Sequence, residues 1–256
     1  MCRLVAYSGA PVFLDTLLIQ PAASLVAQSL AARETKTVVN GDGSGIGWYG
    51  ERPQPGVYRG TLPAWSDANL VSLCSQIRAR LFVAHVRSAT FGEVATANCH
   101  PFAVGRHLFM HNGQIGGYEC LRRRIDALIP DDLYPLRRGT SDSEALFLTA
   151  LGRGLEAAPV AALADTLAAV LGVMRQAGVD KPLRFSAVHT DGATLQAVRW
   201  ASDRRCPSLY WQRLEQGIVV ASEPFDGAAW QEVPPSSVLT INADQAMRIE
   251  AFAVAG

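Results

Sequence analysis

The sequence predicts an α+β fold with antiparallel sheet, on the strength of two observations. Short apolar runs rich in Val, Ile, Trp and Tyr fill the last third of the 256 residues, with several more in the first half. Between them lies an Ala/Leu-rich helical stretch. Strands, then helices, then strands is the order of an α+β protein, whereas a βαβ repeat would alternate the two throughout.

Taken in order, Cys2 to Tyr7 alternates weakly and predicts a first strand, and Pro21 to Ala32 carries apolar residues at helical spacing. Gly45 to Tyr49 is a short apolar run after glycines. Asn69 to Arg80 predicts a helix, Leu81 to Val86 and Leu108 to Met110 predict buried strands, and a basic helix follows from about Tyr118 to Leu128. From Ser143 to Ala177 the pattern is helical, with Gly152, Gly154 and Pro159 separating two helices. The last third predicts strands at Leu183 to His189, Thr194 to Trp200, Ser208 to Gln212, Ile218 to Ser222, Val238 to Ile241 and Ala246 to Ala253. Asp191-Gly192 has the form of a hairpin turn between the first two of these. No repeat, low-complexity tract or linker divides the chain, so residues 2–256 are expected to form a single domain.

Composition narrows the function. At 49% hydrophobic and 18% charged residues, the chain reads as globular and able to bury a large core. Its 23 basic and 23 acidic residues cancel and form no blocks, which argues against a nucleic-acid or anionic membrane partner. No apolar run approaches the roughly 18–20 residues that span a bilayer. The N-terminus lacks the pattern of a secretory signal, so a cytoplasmic protein is expected. Cys2, Cys74, Cys99, Cys120 and Cys206 are odd in number and widely spaced. They suggest neither a disulfide framework nor a zinc site, and free thiols fit a reducing compartment.

Chemistry is concentrated in a few polar clusters. Removal of Met1 would leave Cys2 with a thiol and a free α-amino group, which titrates near about 7.7–8 and can accept the thiol proton. The run Asn40-Gly41-Asp42-Gly43-Ser44-Gly45-Ile46-Gly47 has glycine at every second position, unlike a dinucleotide fingerprint. It is either a turn entering a strand or a place where backbone approaches a ligand. His85-Val86-Arg87-Ser88-Ala89-Thr90 ends an apolar run, and the planar fork of Arg87 suits a carboxylate, in the protein or in a substrate. His85 alternates with Arg87 and is read as a structural hydrogen-bonding residue. Asn98-Cys99-His100-Pro101-Phe102 reads as a loop. In His111-Asn112-Gly113-Gln114, Asn-Gly is most simply a tight turn, while an Asn amide beside a Gly N–H can also form an oxyanion hole. Ser141 or Asp142 fits a helix N-cap, and Asp142 could instead receive a substrate ammonium.

A thiol, a carboxylate-binding arginine, an ammonium-binding aspartate and an oxyanion hole together suit glutamine, an amino acid with a side-chain amide. The sequence resembles the class II glutamine amidotransferases of the N-terminal-nucleophile (Ntn) hydrolase superfamily. The resemblance rests on Met1-Cys2, Asn40-Gly41-Asp42-Gly43-x-Gly45, His85-x-Arg87-x-Ala89-Thr90-x-Gly92, Asn98-x-His100-Pro101-Phe102, His111-Asn112-Gly113-x-Ile115 and Ser141-Asp142-Ser143-Glu144. It extends through Thr190-Asp191-Gly192, Arg199 and Ser222-Glu223-Pro224. It implies a four-layer αββα sandwich of two antiparallel sheets. It makes Cys2 the nucleophile and Asn112 and Gly113 the oxyanion hole, and places Arg87, Ala89, Thr90, His111 and Asp142 around the substrate. It requires no metal or organic cofactor.

Members of the family commonly carry a synthase domain that uses the released ammonia, and with 256 residues a hydrolase module without one is expected. Stand-alone relatives include the γ-glutamyl hydrolases of ergothioneine biosynthesis, which Pro21 to Ser29, Asn40 to Tyr49 and Trp65 to Ala68 resemble most. The expected activity is hydrolysis of glutamine or a related γ-glutamyl amide, with the leaving group open. The alternatives are a glutaminase subunit supplying ammonia to a separate synthase chain, and a γ-glutamyl ligand-binding protein without turnover.

Overall fold

The computed structural model describes residues 2–33, 39–89, 92–203 and 205–255. In chain order its elements are β1 (Arg3–Phe13), α1 (Asp15–Leu18), α2 (Leu25–Leu30), β2 (Ser44–Trp48), β3 (Gly56–Gly60), α3 (Ala68–Gln76), β4 (Arg78–Val86), β5 (Phe102–Val104), β6 (His107–Ile115), α4 (Tyr118–Asp126), α5 (Asp142–Gly152) and α6 (Pro159–Gln176). The remaining strands are β7 (Leu183–Thr190), β8 (Leu195–Ala201), β9 (Tyr210–Arg213), β10 (Gly217–Ala221), β11 (Gln231–Glu232), β12 (Ser237–Ile241) and β13 (Met247–Ala251). They form two antiparallel sheets, in the orders β11-β9-β10-β1-β4-β2-β3 and β13-β12-β8-β7-β6-β5.

Side chains on a strand alternate between faces, and that period of two sorts the core into three layers. Leu4 and Ala6 of β1 and Leu81 and Val83 of β4 meet Leu108 and Met110 of β6 and Val188 of β7 between the sheets. On the outer face of the first sheet, Val5, Tyr7, Phe82 and Ala84 pack on Leu17 and Leu18 of α1, Leu25 of α2 and Leu70 and Cys74 of α3. On the outer face of the second, Phe109, Phe185, Ala187 and Val198 pack on residues of α4, α5 and α6, including Leu121, Phe147 and Leu167. Helices, sheet, sheet, helices is the αββα sandwich expected from the family resemblance.

Several boundaries differ from the sequence reading. The helix expected over Asn69 to Arg80 ends at Gln76, because Arg78 already opens β4, which pairs with both β1 and β2. The helix expected over Pro21 to Ala32 is confined to Leu25–Leu30, capped by the Ser24 side chain accepting from Ala27 N–H. The strand expected over Leu108 to Met110 runs on to Ile115. Asn112 and Gly113 pair with Ser186 and Phe185 of β7, so Asn-Gly is mid-strand and not a turn.

The glycine run also finds its reason here. A Cβ on Gly43 would lie 2.6 Å from Cys99 Sγ, one on Gly45 would strike the His100 carbonyl, and one on Gly47 would lie 2.9 Å from Pro101. Gly43, Gly45 and Gly47 thus form a side-chain-free stripe on which the loop from Asn98 to Phe102 is pressed. The close approach that glycine permits is to this loop.

Candidate active site

The same alternation fixes what stands at the end of the inter-sheet layer. Continuing the inward-facing sets Leu4 and Ala6, Leu81 and Val83, and Leu108 and Met110 by one step brings Cys2, His85 and Asn112 to one place. Their apolar predecessors fill the core; these polar residues meet where the sandwich opens. Asn112 Nδ2 donates to the Cys2 carbonyl oxygen at 3.0 Å, and its Oδ1 lies 3.1 Å from His85 Nε2.

Cys2 Sγ lies 3.3 Å from the Ser88 amide nitrogen, which donates to it, and 3.5 Å from the Ser88 carbonyl oxygen. Burial pushes the Cys2 thiol above its ordinary pKa, against the opposing influence of the Ser88 N–H and the Arg87 charge. The resting group is therefore a thiol, and a base has to take its proton before attack.

Cys2, Arg87, Gly113 and Asp142 line one cavity of about 240 Å³. Arg87 is buried, with its Nη1 donating to the Glu93 carbonyl at 3.3 Å. Its backbone is held to the glycine run: Arg87 N–H donates to the Gly43 carbonyl and Asp42 N–H to the Arg87 carbonyl. The Asp42 carboxylate then accepts from Ala89 N–H at 2.7 Å, which fixes the chain leaving β4 beside the thiol. Ala89 also lines the cavity, whereas Thr90 lies outside the described residues.

Across the cavity, Ser141 is the N-cap of α5, its Oγ accepting from Glu144 N–H, and Asp142 is the first helical residue. Asp142 accepts from Ile115 N–H at 2.9 Å, and Ser143 Oγ lies 3.3 Å from its carboxylate. Asn98 ties this helix start to the loop after β4. Its Oδ1 accepts from the backbone N–H groups of Thr140 and Ser141, and its Nδ2 donates to the Glu93 carbonyl. His111 lines the cavity, but both ring nitrogens are engaged, by Ser143 Oγ at 2.9 Å and by the Arg184 carbonyl at 3.2 Å. Since a carbonyl only accepts, Nε2 carries the proton and Nδ1 faces the Ser143 hydroxyl. A Cβ at Gly113 would collide with the Arg184 carbonyl and with His111 Nε2, so only glycine fits there.

Burial holds the site's histidines neutral. His85 is pushed down to about 3, and His100 and His111 lie below their ordinary values, in each case chiefly through desolvation. The Arg87 charge acts on the thiol, and Lys181 is a second cation on the cavity wall. Among the described residues no group of three or more His, Cys, Asp and Glu side chains is placed to hold a metal ion. None of the helices there is long and apolar enough to cross a membrane.

Of the residues expected from sequence, Cys2, Arg87, Ala89, His111, Gly113 and Asp142 border the cavity, and Asn112 stands behind Cys2. Sequence reasoning missed the organising parts played by Asp42, Ser88 and Asn98. Each sits within a polar run that was noted, yet its partner lies more than 40 positions away in the chain, and nothing in the local pattern points to it.

The chain is similar to several known proteins. The family model for class-II glutamine amidotransferases matches residues 1–207. DUG3 of Saccharomyces cerevisiae, a probable glutamine amidotransferase, is 30% identical across 94% of this chain and 82% of its own length. A gamma-glutamyl-hercynylcysteine sulfoxide hydrolase of Mycolicibacterium smegmatis is 30% identical across 94% of this chain and 96% of that protein. The solved structure of a glutamine aminotransferase class-II domain protein from Silicibacter pomeroyi superposes with a TM-score of 0.79 at 38% identity, covering 98% of this chain and 100% of that one. With a cysteine at position 2 opposite an Asn-Gly strand pair in an αββα sandwich, the chain belongs to the class II glutamine amidotransferases and is an amidohydrolase of the Ntn type.

Proposed function

We propose that residues 2–256 act as one domain that hydrolyses the side-chain amide of glutamine, or a related γ-glutamyl amide, through a thioester on Cys2. The observation that carries this reading is that the thiol, the Arg87 guanidinium, the Gly113 backbone and the Asp142 carboxylate border a single cavity. Arg87 receives the substrate α-carboxylate in two-point contact, and Asp142 receives the α-ammonium. That pairing aims the γ-carbonyl at Cys2.

Once Met1 is removed, the α-amine of Cys2 takes the thiol proton as the Sγ–C bond forms. The oxyanion is met by the Asn112 Nδ2–H group and the Gly113 N–H. An amide nitrogen carries two protons, so the bond from Asn112 to the Cys2 carbonyl leaves a second donor for the substrate oxygen. The C–N bond then breaks, the α-ammonium returns its proton to the leaving nitrogen, and water cleaves the thioester to release glutamate and restore the thiol. Free cysteines fit a cytoplasmic setting for this chemistry.

Two relatives bear on the leaving group: one is a probable glutamine amidotransferase, the other a gamma-glutamyl-hercynylcysteine sulfoxide hydrolase. The test is glutamate release from glutamine and a panel of γ-glutamyl amides of small and large amines. It uses protein whose loss of Met1 is verified by intact mass. Release is expected without any second protein, and the amide with the highest kcat/KM identifies the leaving group. Release that appears only when a synthase chain is added would assign the ammonia-supplying role instead. Binding without release would mark a γ-glutamyl-binding protein.

Arg87→Ala is expected to raise KM by about 10- to 100-fold, the loss of a charge-assisted pair of about 1.5–3 kcal/mol, with kcat changed much less. An unchanged KM for glutamine would remove Arg87 from the carboxylate site.

A further inference from the structure

The Asn112 carboxamide can be placed in two orientations, since its O and NH2 ends are nearly the same shape and its neighbours decide which end goes where. The Cys2 carbonyl oxygen can only accept, so the end that faces it is the NH2 group. The other end is then Oδ1, which needs a donor, and His85 Nε2 lies 3.1 Å from it. A lone pair on Nε2 would repel Oδ1, whereas a proton there locks the amide. We propose that His85 is a positioning residue of the hydrolytic site, its Nε2–H holding the Asn112 carboxamide with the NH2 end turned toward Cys2 and the substrate oxygen. The proposal rests on the reading of Cys2 as nucleophile and Asn112 as oxyanion donor.

The surroundings make His85 a rigid support. It sits within β4, paired to Leu4 of β1 on one side and Gly45 of β2 on the other, and is 1% exposed. The His100 ring lies against it with centroids 4.1 Å apart, and His100 is itself carried by the loop that the glycine stripe of β2 admits. Among the described residues His85 Nδ1 has no hydrogen-bond partner, and Asn112 provides the side-chain bond that fixes the ring. Desolvation keeps the ring neutral at working pH, with a single proton to place.

The test compares His85→Gln with His85→Met. Both side chains have the same length, but Gln places an amide N–H near the position of Nε2 and Met offers none. His85→Met is expected to lower kcat by about 10- to 100-fold with KM within about threefold of wild type, a loss confined to the transition state. His85→Gln is expected to recover most of that rate, and melting temperatures are expected to match between the two variants. In an Asn112→Ala background the two should differ in kcat by less than about twofold, because there is no amide left to orient. Equal kcat in Gln and Met variants, or the same Gln-to-Met ratio with Ala at position 112, would overturn the proposal while Cys2-dependent turnover stood. Turnover that survives Cys2→Ala would instead remove the reading on which it rests. Should His85→Met fail to fold, His85→Phe, which retains an aromatic face toward His100, is compared with Gln in the same way.

Discussion

Cys2→Ala is expected to abolish glutamate release, with at least about a 10⁴-fold loss in kcat, while the protein folds and still binds glutamine. The substitution removes one sulfur atom at the mouth of the inter-sheet layer. Its stability cost is on the order of 1 kcal/mol, because among the described residues the sulfur's hydrogen bonds are weak ones with the Ser88 backbone. Arg87 and Asp142 are untouched, so calorimetry should give a Kd for glutamine within a few-fold of the wild-type KM. Separating turnover from binding in this way is what a nucleophile requires. A variant that still releases glutamate would show that another group attacks the amide, and one that has lost binding as well would make Cys2 part of the substrate pocket rather than its reactive atom.

Much of this site was legible in the sequence because its chemistry uses residue types that are conspicuous where they stand. A cysteine at position 2, an arginine ending an apolar run and Asn-Gly after a buried strand each interrupt an otherwise apolar pattern. Leu4 to Tyr7 and Leu81 to Ala84 are apolar at every position, so local pattern could not tell which face meets the other sheet, and only pairing of β1 with β4 and stacking of the two sheets brings Cys2 to Asn112. What local pattern could not give was the path of the chain at Asn112-Gly113. The dipeptide has the composition of a tight turn, and strand pairing with β7 over His111 to Ile115 overrides that preference. The helix assigned through Arg80 ran too far: Ile77 to Leu81 alternates apolar and charged residues at the strand period of two, and β4 pairs with neighbours on both sides. His85 was read as a structural hydrogen-bonding residue; the missing information was that its partner would be Asn112, 27 positions later.

Asn112→Ala is expected to lower kcat by about 10²- to 10³-fold, or roughly 3–4 kcal/mol, with little change in KM. The reason lies in when the interaction is made. On the proposed reading, the γ-carbonyl oxygen carries little charge in the ground state while Arg87 and Asp142 hold the other end of the substrate, and in the tetrahedral intermediate the same oxygen is an anion beside Cys2. A donor aimed at that position acts on the barrier and not on binding. The variant also strips His85 Nε2–H of its acceptor in a place from which water is excluded, and releases the Cys2 carbonyl. A loss of about 1–3 kcal/mol in stability is therefore expected from urea unfolding. Asn112→Asp is the sharper probe, since it preserves shape but places an acceptor against the Cys2 carbonyl and the developing oxyanion. It should be slower than the alanine variant despite filling the space. If Asn112→Ala instead raises KM and leaves kcat intact, the side chain contributes to binding and Gly113 N–H acts on the oxyanion without it.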